Sequence, residues 1–209
     1  ASALVCNLGA IGDTDAMEAA GKAANLLGIP VVFDPVAAGG TSLRRAESAR
    51  LMRAVHFSVI RGNASEIRFL AGEQSSGSGV DAGVFDEITE ENLSAAIGIV
   101  KGLAEKTGSV IAVSGRLDLI SDSRRTAVLR NGSPVMARIT GSGCMLTALT
   151  GAFCGACQKD CFTAAFAASA VMGVCGELAD AKRLERGTGN ASFRNDLIDA
   201  VFTLTEKQF

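Results

Sequence analysis

The chain has 209 residues, 48% of them hydrophobic and 20% charged, with a net charge of -2. That is enough apolar material for one sizeable core, and the near-neutral balance offers no basic field for nucleic acid. No apolar run is both long and charge-free enough to read as a membrane span and no signal peptide is visible, so a cytoplasmic protein with neither a nucleic-acid nor a membrane partner is expected.

Twenty-four glycines against three prolines point to many strand-to-helix turns rather than to linkers. Ala3-Leu-Val-Cys-Asn-Leu-Gly9 is a short apolar run ending in Gly, a buried strand by length and flanks. Because the chain enters that strand at once, an N-terminal portion is expected to be missing. Asp13 or Thr14 caps a helix that runs to about Leu27 and stops at Gly28. Gly9-x-x-Gly12 lacks the full G-x-G-x-x-G of a dinucleotide fingerprint. Residues 29–33 form the second strand, which leads into Asp34-Pro-Val-Ala-Ala-Gly-Gly40. An acid at the carboxyl end of a buried parallel strand sits on the rim where such sheets bind ligands; as a loop cap it would need no ligand. Thr41 or Ser42 caps a helix over 43–55, whose run of Arg44, Arg45, Glu47, Arg50 and Arg53 reads as a solvated face.

A third strand over 57–60 ends in Arg61-Gly-Asn63, and a helix over 64–70 is closed by Gly72. Arg61 then stands at a strand end and Glu66 in the first turn of the next helix, where an acid also compensates the dipole. If the strands are neighbours, Asp34 and Glu66 share a rim, and two carboxylates there suit Mg²⁺. Ser75-Ser-Gly-Ser-Gly79 is flexible by composition, and Val80-Asp-Ala-Gly83 is either a small functional turn or a plain loop. A helix over 90–107 ends at Gly108; a strand over 110–113 runs to Ser114-Gly115; segments 117–120 and 126–129 form a hairpin. Asn131-Gly132 turns into a further strand over 135–139.

That strand feeds Thr140-Gly-Ser-Gly-Cys144 and a helix over 142–157. Glycines let a backbone approach a ligand closely, and the first N–H groups of a helix, at the positive end of its dipole, attract an anion, most often phosphate. The same turn also serves as a tight connection with no ligand. Helices over 162–184 and 192–205, broken by Gly187-Thr-Gly189, complete the chain. Strands alternating with helices predict one α/β layered domain over 1–209, with a largely parallel central sheet flanked by helices. Of six cysteines, Cys154, Cys157 and Cys161 fall on one face at helical spacing. They read as small buried hydrophobes in a reducing cytosol, and with His56 the only histidine a zinc site lacks ligands.

Asn7-Leu-Gly, Asp34-Pro-Val, Arg61-Gly-Asn-Ala-Ser-Glu66, Ser114-Gly115 and Thr140-Gly-Ser-Gly-Cys144, in that order, resemble the hydroxyethylthiazole kinases, the thiamin-salvage members of the ribokinase-like superfamily, over nearly the whole chain. The cysteine after the second glycine is the sharpest mark, since most ribokinase-like kinases carry an aspartate there. The resemblance implies a ribokinase-like fold and ATP-dependent phosphorylation of the primary alcohol of 4-methyl-5-(2-hydroxyethyl)thiazole. It also implies Mg²⁺ and a homotrimer with active sites between subunits. By the same resemblance Asp34 and Glu66 are the magnesium- and phosphate-side acids. Arg61 contacts the ATP phosphates, and Ser114, where the family often has Thr, contacts the nucleotide. Gly141 to Cys144 form the anion hole, with Gly141 and Gly143 on the substrate and Cys144 beside the reacting hydroxyl.

Three departures stand out. The family's Asp-Pro-Val-Gly ends here in Ala37, its late Gly-Pro-Gly-Ser-Phe becomes Gly187-Thr-Gly-Asn-Ala-Ser-Phe193, and its N-terminal segment, which supplies a strand and part of the thiazole pocket, has no counterpart in these residues. A thiol softened by a helix N-terminus is also a weaker base. Cys144 is therefore expected mainly to position the hydroxyl while the proton passes late to phosphate; space filling is the alternative. Rival assignments are a hydroxymethylpyrimidine kinase or an NAD(P)H-hydrate dehydratase, against which Cys144 argues, and a non-catalytic nucleotide-binding remnant.

Overall fold

Short β-branched runs build the sheet. The computed structural model describes residues 1–72, 86–205 and 207, so the segments 75–79 and 80–83 discussed above lie outside the described residues. Strands β1 (Leu4–Asn7), β2 (Val31–Asp34), β3 (Val59–Asn63) and β4 (Val110–Ser114) are parallel neighbours in chain order, and β5 (Asp118–Ser121) and β6 (Thr126–Leu129) add an antiparallel hairpin beyond β4. Successive residues of a strand face opposite sides, and the core divides accordingly. Val31, Phe33, Ile60, Ile111 and Val113 pack on one side, with Phe33 stacked on Phe57; Val32, Val59, Val110 and Ala112 pack on the other. Both faces are apolar because both are covered, as parallel sheets require.

The first side is covered by α1 (Thr14–Leu26), α2 (Ser42–Ala54), α3 (Ala64–Ala71) and α4 (Leu93–Thr107). The second is covered by α5 (Ser142–Ala156) and α6 (Cys161–Arg186), with α7 (Asn190–Thr203) against α6. Local chemistry sets the ends. Thr41 caps α2 by accepting the Arg44 N–H, and Asn63 and Glu66 form a reciprocal capping box on α3. Gly72, Gly108 and Gly187 close α3, α4 and α6 in the left-handed conformation. By length and composition alone the 26-residue α6 is apolar enough to cross a membrane, contrary to the expectation from sequence; here Ala164, Ala165, Ala168 and Met172 are buried against neighbouring elements.

Four expectations change. Segment 135–139 is no strand: Ser133 accepts the Val135 N–H, Pro134 sits in the first turn, and Pro134–Arg138 winds into a 3₁₀ helix. Proline has no N–H for a sheet ladder, and its fixed φ suits a helical first turn. The three cysteines do not share one helical face, because α5 ends at Ala156. Cys154 is buried, Cys157 is an exposed C-cap residue, and Cys161 opens α6 behind an Asp160 cap. Arg61 is not at a strand end, since β3 continues to Asn63 and pairs Arg61 with Ala112. The α2 charge run is not all solvated. Arg50 gathers Asp15, Glu18 and Glu47, while Arg44 donates to the carbonyls of Leu8 at 2.9 Å and Val36 at 2.8 Å, tying together the loops that follow β1 and β2.

The loop after β2 carries the one non-glycine residue with positive φ among the described residues, Ala37, at φ 52°. Its N–H donates to Glu66 Oε1 at 2.8 Å and its carbonyl accepts from Gly40, so both neighbours hold it in a conformation that costs an L-residue roughly 1–2 kcal/mol. This is the position where the resemblance leads one to expect Gly. Glycine relieves that strain but widens the unfolded ensemble by roughly 0.4–1 kcal/mol. We expect Ala37→Gly to be net stabilising by about 0.5–1 kcal/mol, read as a raised denaturant midpoint at unchanged m-value; a lowered midpoint would contradict the strain.

Candidate functional site

The carboxyl ends of the parallel strands and the first turn of α5 enclose a cleft of about 1030 Å³. Asp34, Arg61, Glu66, Ser114, Gly141, Gly143 and Cys144 all line it. The tertiary structure thus brings every candidate residue to one place.

Asp34 ends β2 and is 2% exposed. Its Oδ2 accepts Asn7 Nδ2 at 3.0 Å and the Thr147 hydroxyl at 2.7 Å, leaving Oδ1 without a protein partner among the described residues. Burial pushes its pKa up, against the hydrogen bond from Thr147 and the charge of Arg61, while the charge of Glu66 pushes the same way as burial. Glu66 is held by the backbone: Oε1 accepts from Ala37 at 2.8 Å and Oε2 from Asn63 at 2.9 Å. Gly62 stays bare for this reason, since a Cβ there would stand 3.0 Å from Glu66 Oε2.

Arg61 is 6% exposed. One terminal nitrogen donates to the Gly143 carbonyl at 3.1 Å and the other to the Ser114 hydroxyl; its buried Nε has no acceptor among the described residues. Gly143 is glycine because of this arginine: a Cβ would stand 3.0 Å from Nη1. The sequence suggested that this glycine makes room for a ligand, and the structure gives the room to Arg61. Gly141, at φ 98°, turns the chain into α5, and no side chain caps that end. The first internal bond of α5 runs from Met145 N–H to the Gly141 carbonyl, so the N–H groups of Ser142, Gly143 and Cys144 precede the ladder and remain for an anion. Cys144 is exposed, and its sulfur accepts Asn7 Nδ2 at 3.5 Å.

Three further residues join the site. Asn7 links Asp34 to Cys144, and Thr147 binds Asp34 from one turn into α5. Asp118 lines the cleft, accepts the Gly115 N–H at 3.0 Å, and is pushed by burial up to about 6. Asn7 lay within a quoted motif and Asp118 four residues after Ser114, yet neither spacing marks a role in advance.

Among the described residues no three His, Cys, Asp or Glu side chains form a ready metal cage. The donors present are one free carboxylate oxygen of Asp34 and the remaining lone pairs of Glu66. That set suits magnesium, which keeps several waters and takes one or two carboxylates together with substrate phosphates. The cleft-lining Arg61 guanidinium, with no carboxylate paired to it among the described residues, and the open α5 N-terminus suit the phosphates themselves.

A profile of the hydroxyethylthiazole kinase family matches residues 1–207. The hydroxyethylthiazole kinase of Clostridium acetobutylicum is 44% identical over 95% of this chain and 73% of its own length. That of Clostridium beijerinckii is 45% identical over 98% of this chain and, again, 73% of its own length. Among solved structures, the hydroxyethylthiazole kinase protein from Pyrococcus horikoshii superposes over 100% of this chain and 74% of that one, with a TM-score of 0.82 and 31% identity. A Bacillus subtilis pyridoxal kinase, at 20% identity and TM-score 0.52 over 78% of this chain and 59% of its own, shares the fold alone.

The raised Asp118 carboxyl makes stability pH-dependent. The folded chain keeps a proton there up to about 6, whereas an unfolded Asp releases it near about 4. Stability therefore falls as pH rises through that window. Asp118→Asn keeps an acceptor for Gly115 and has no proton to lose. We expect its stability relative to the parent to climb from about pH 4 to about pH 6 and then level, read from denaturant midpoints at stepped pH; a flat difference would contradict the burial.

Proposed function

The chain belongs to the hydroxyethylthiazole kinase family, and from that premise we propose that it transfers the terminal phosphoryl group of ATP to the primary alcohol of 4-methyl-5-(2-hydroxyethyl)thiazole. The observation that carries the reading is the meeting, in one cleft, of a half-free buried acid, a buried arginine with an unused donor, and an uncapped helix N-terminus ending in a cysteine. Phosphoryl transfer asks mainly for positioning and charge stabilisation, and these groups supply both.

Arg61 orients the phosphate chain and offsets its charge, with Ser114 beside it on the nucleotide. Asp34 and Glu66 would hold Mg²⁺, which would supply charge neutralisation for the phosphates. The N–H groups of Gly141 to Cys144 receive the oxygens of the group in transfer, where one such donor is worth about 10²–10³ in rate. Cys144 positions the alcohol, whose proton leaves late to phosphate. Residues 1–209 act as one kinase domain. The same proposal includes a cytoplasmic homotrimer with sites between subunits.

The test is ATP- and magnesium-dependent phosphorylation of the thiazole alcohol, followed by mass. We expect Arg61→Ala to raise the ATP KM or lower kcat by about tenfold or more, the worth of a charge-assisted contact; unchanged kinetics would remove Arg61 from the site. We expect Cys144→Asp to keep or raise turnover, an oxygen acceptor replacing sulfur at the alcohol. A variant that folds but loses all turnover would contradict that placement, and one that cannot fold would assign Cys144 to packing.

A further inference from the structure

We infer that Asn7 is a positioning residue for the transfer, an amide fork that holds the acid Asp34 and the sulfur of Cys144 in fixed relation; this rests on the kinase reading above. Asn7 ends β1, in register with Asp34 at the end of β2. Its Oδ1 accepts the Gly9 N–H at 2.8 Å. Its Nδ2 donates to Asp34 Oδ2 at 3.0 Å and to Cys144 Sγ at 3.5 Å. A neutral amide has two N–H hydrogens, so both are committed, one to each reacting-side group. The amide cannot turn over: a flip would give up the Gly9 bond and set its oxygen against the Asp34 carboxylate.

Two consequences follow. With Asn7 and Thr147 both on Oδ2, Asp34 presents Oδ1 to the cleft in one orientation. Cys144 Sγ is an acceptor from Asn7, so its own hydrogen is directed to another partner, and the exposed sulfur faces the alcohol with a defined hydrogen-bonding sense. Gly9 is part of the device, because a Cβ there would stand 2.7 Å from Asn7 Oδ1. A carboxylate at position 7 would place two like charges in contact and remove both donors. The fork therefore needs an uncharged double donor, and Asn supplies it at this reach.

The experiment compares Asn7→Ala and Asn7→Asp in the full chain, alone and with Cys144→Ala. Asn7→Ala should lower kcat about tenfold while the ATP KM stays within about threefold, and Asn7→Asp should fall at least as far. With Cys144→Ala already present, Asn7→Ala should cost measurably less than it does in the parent, because one of its two targets is gone and only the Asp34 bond is left to lose. Equal losses in both backgrounds overturn the inference. An N–H held against sulfur stabilises negative charge on it, so Asn7→Ala should also slow alkylation of Cys144 by iodoacetamide at pH 7 by about threefold or more, read by peptide mass. An unchanged rate overturns the fork whatever the substrate proves to be. Should the parent chain leave the thiazole alcohol untouched, the kinase reading fails while alkylation still decides the fork. Asn7→Ser, which keeps one donor, carries the same comparisons if Asn7→Ala does not fold.

Discussion

A buried guanidinium holds the cleft together. Arg61 rises from the middle of the sheet, and its two terminal nitrogens join the α5 turn at Gly143 to the end of β4 at Ser114. Taking a charge out of water costs several kcal/mol unless partners replace the solvent. Here those partners are a carbonyl, a hydroxyl and the nearby fields of Asp34 and Asp118, both of which register its charge. No carboxylate forms a direct ion pair with Arg61 among the described residues. Its positive charge therefore remains for an anion entering the cleft.

The surrounding fold makes that arrangement possible. Four parallel strands present their carboxyl ends along one rim, and the second helical layer crosses back so that α5 begins above them. Asp34, Arg61 and Ser114 descend from the adjacent strands β2, β3 and β4, Glu66 from α3, which leaves β3, and Cys144 from a helix on the other face. Side chains distant in the chain reach one another because rigid elements, not flexible loops, carry most of them.

Several of these residues do two jobs. Glu66 closes the capping box of α3 and at the same time fixes Ala37 in its left-handed conformation. A carboxylate tied by two backbone N–H groups is preorganised for ligand water and loses little freedom when a metal arrives. Gly143 is bare so that Arg61 can pass beneath it, and Thr147 serves Asp34 while also lying 3.2 Å from the Gly143 carbonyl. The cleft is thus assembled from the same bonds that end the strands and start the helices.

Much of this was legible from residues alone. Hydrophobic period, glycine stops and short β-branched runs located four parallel strands, the hairpin and nearly every helix, because those signals are local and act over a few residues. The ordered motifs named Asp34, Arg61, Glu66, Ser114, Gly141, Gly143 and Cys144, which line the cleft, but not Asp118, which lines it too. Sequence could not say that 134–138 winds instead of extending, since Pro134 and the Ser133 cap outweigh the apolar character of the segment. Nor could it distinguish a glycine left bare for a ligand from one left bare for Arg61, or reveal that Asn7 spans Asp34 and Cys144. These depend on which elements meet: a contact between residues 7 and 144 leaves no trace in either residue's neighbours along the chain. The sequence by itself determined the alphabet of strands, turns and candidate groups. Tertiary packing decided their partners, because burial charge by charge and bond by bond is settled only once the sheet has closed against both helical layers.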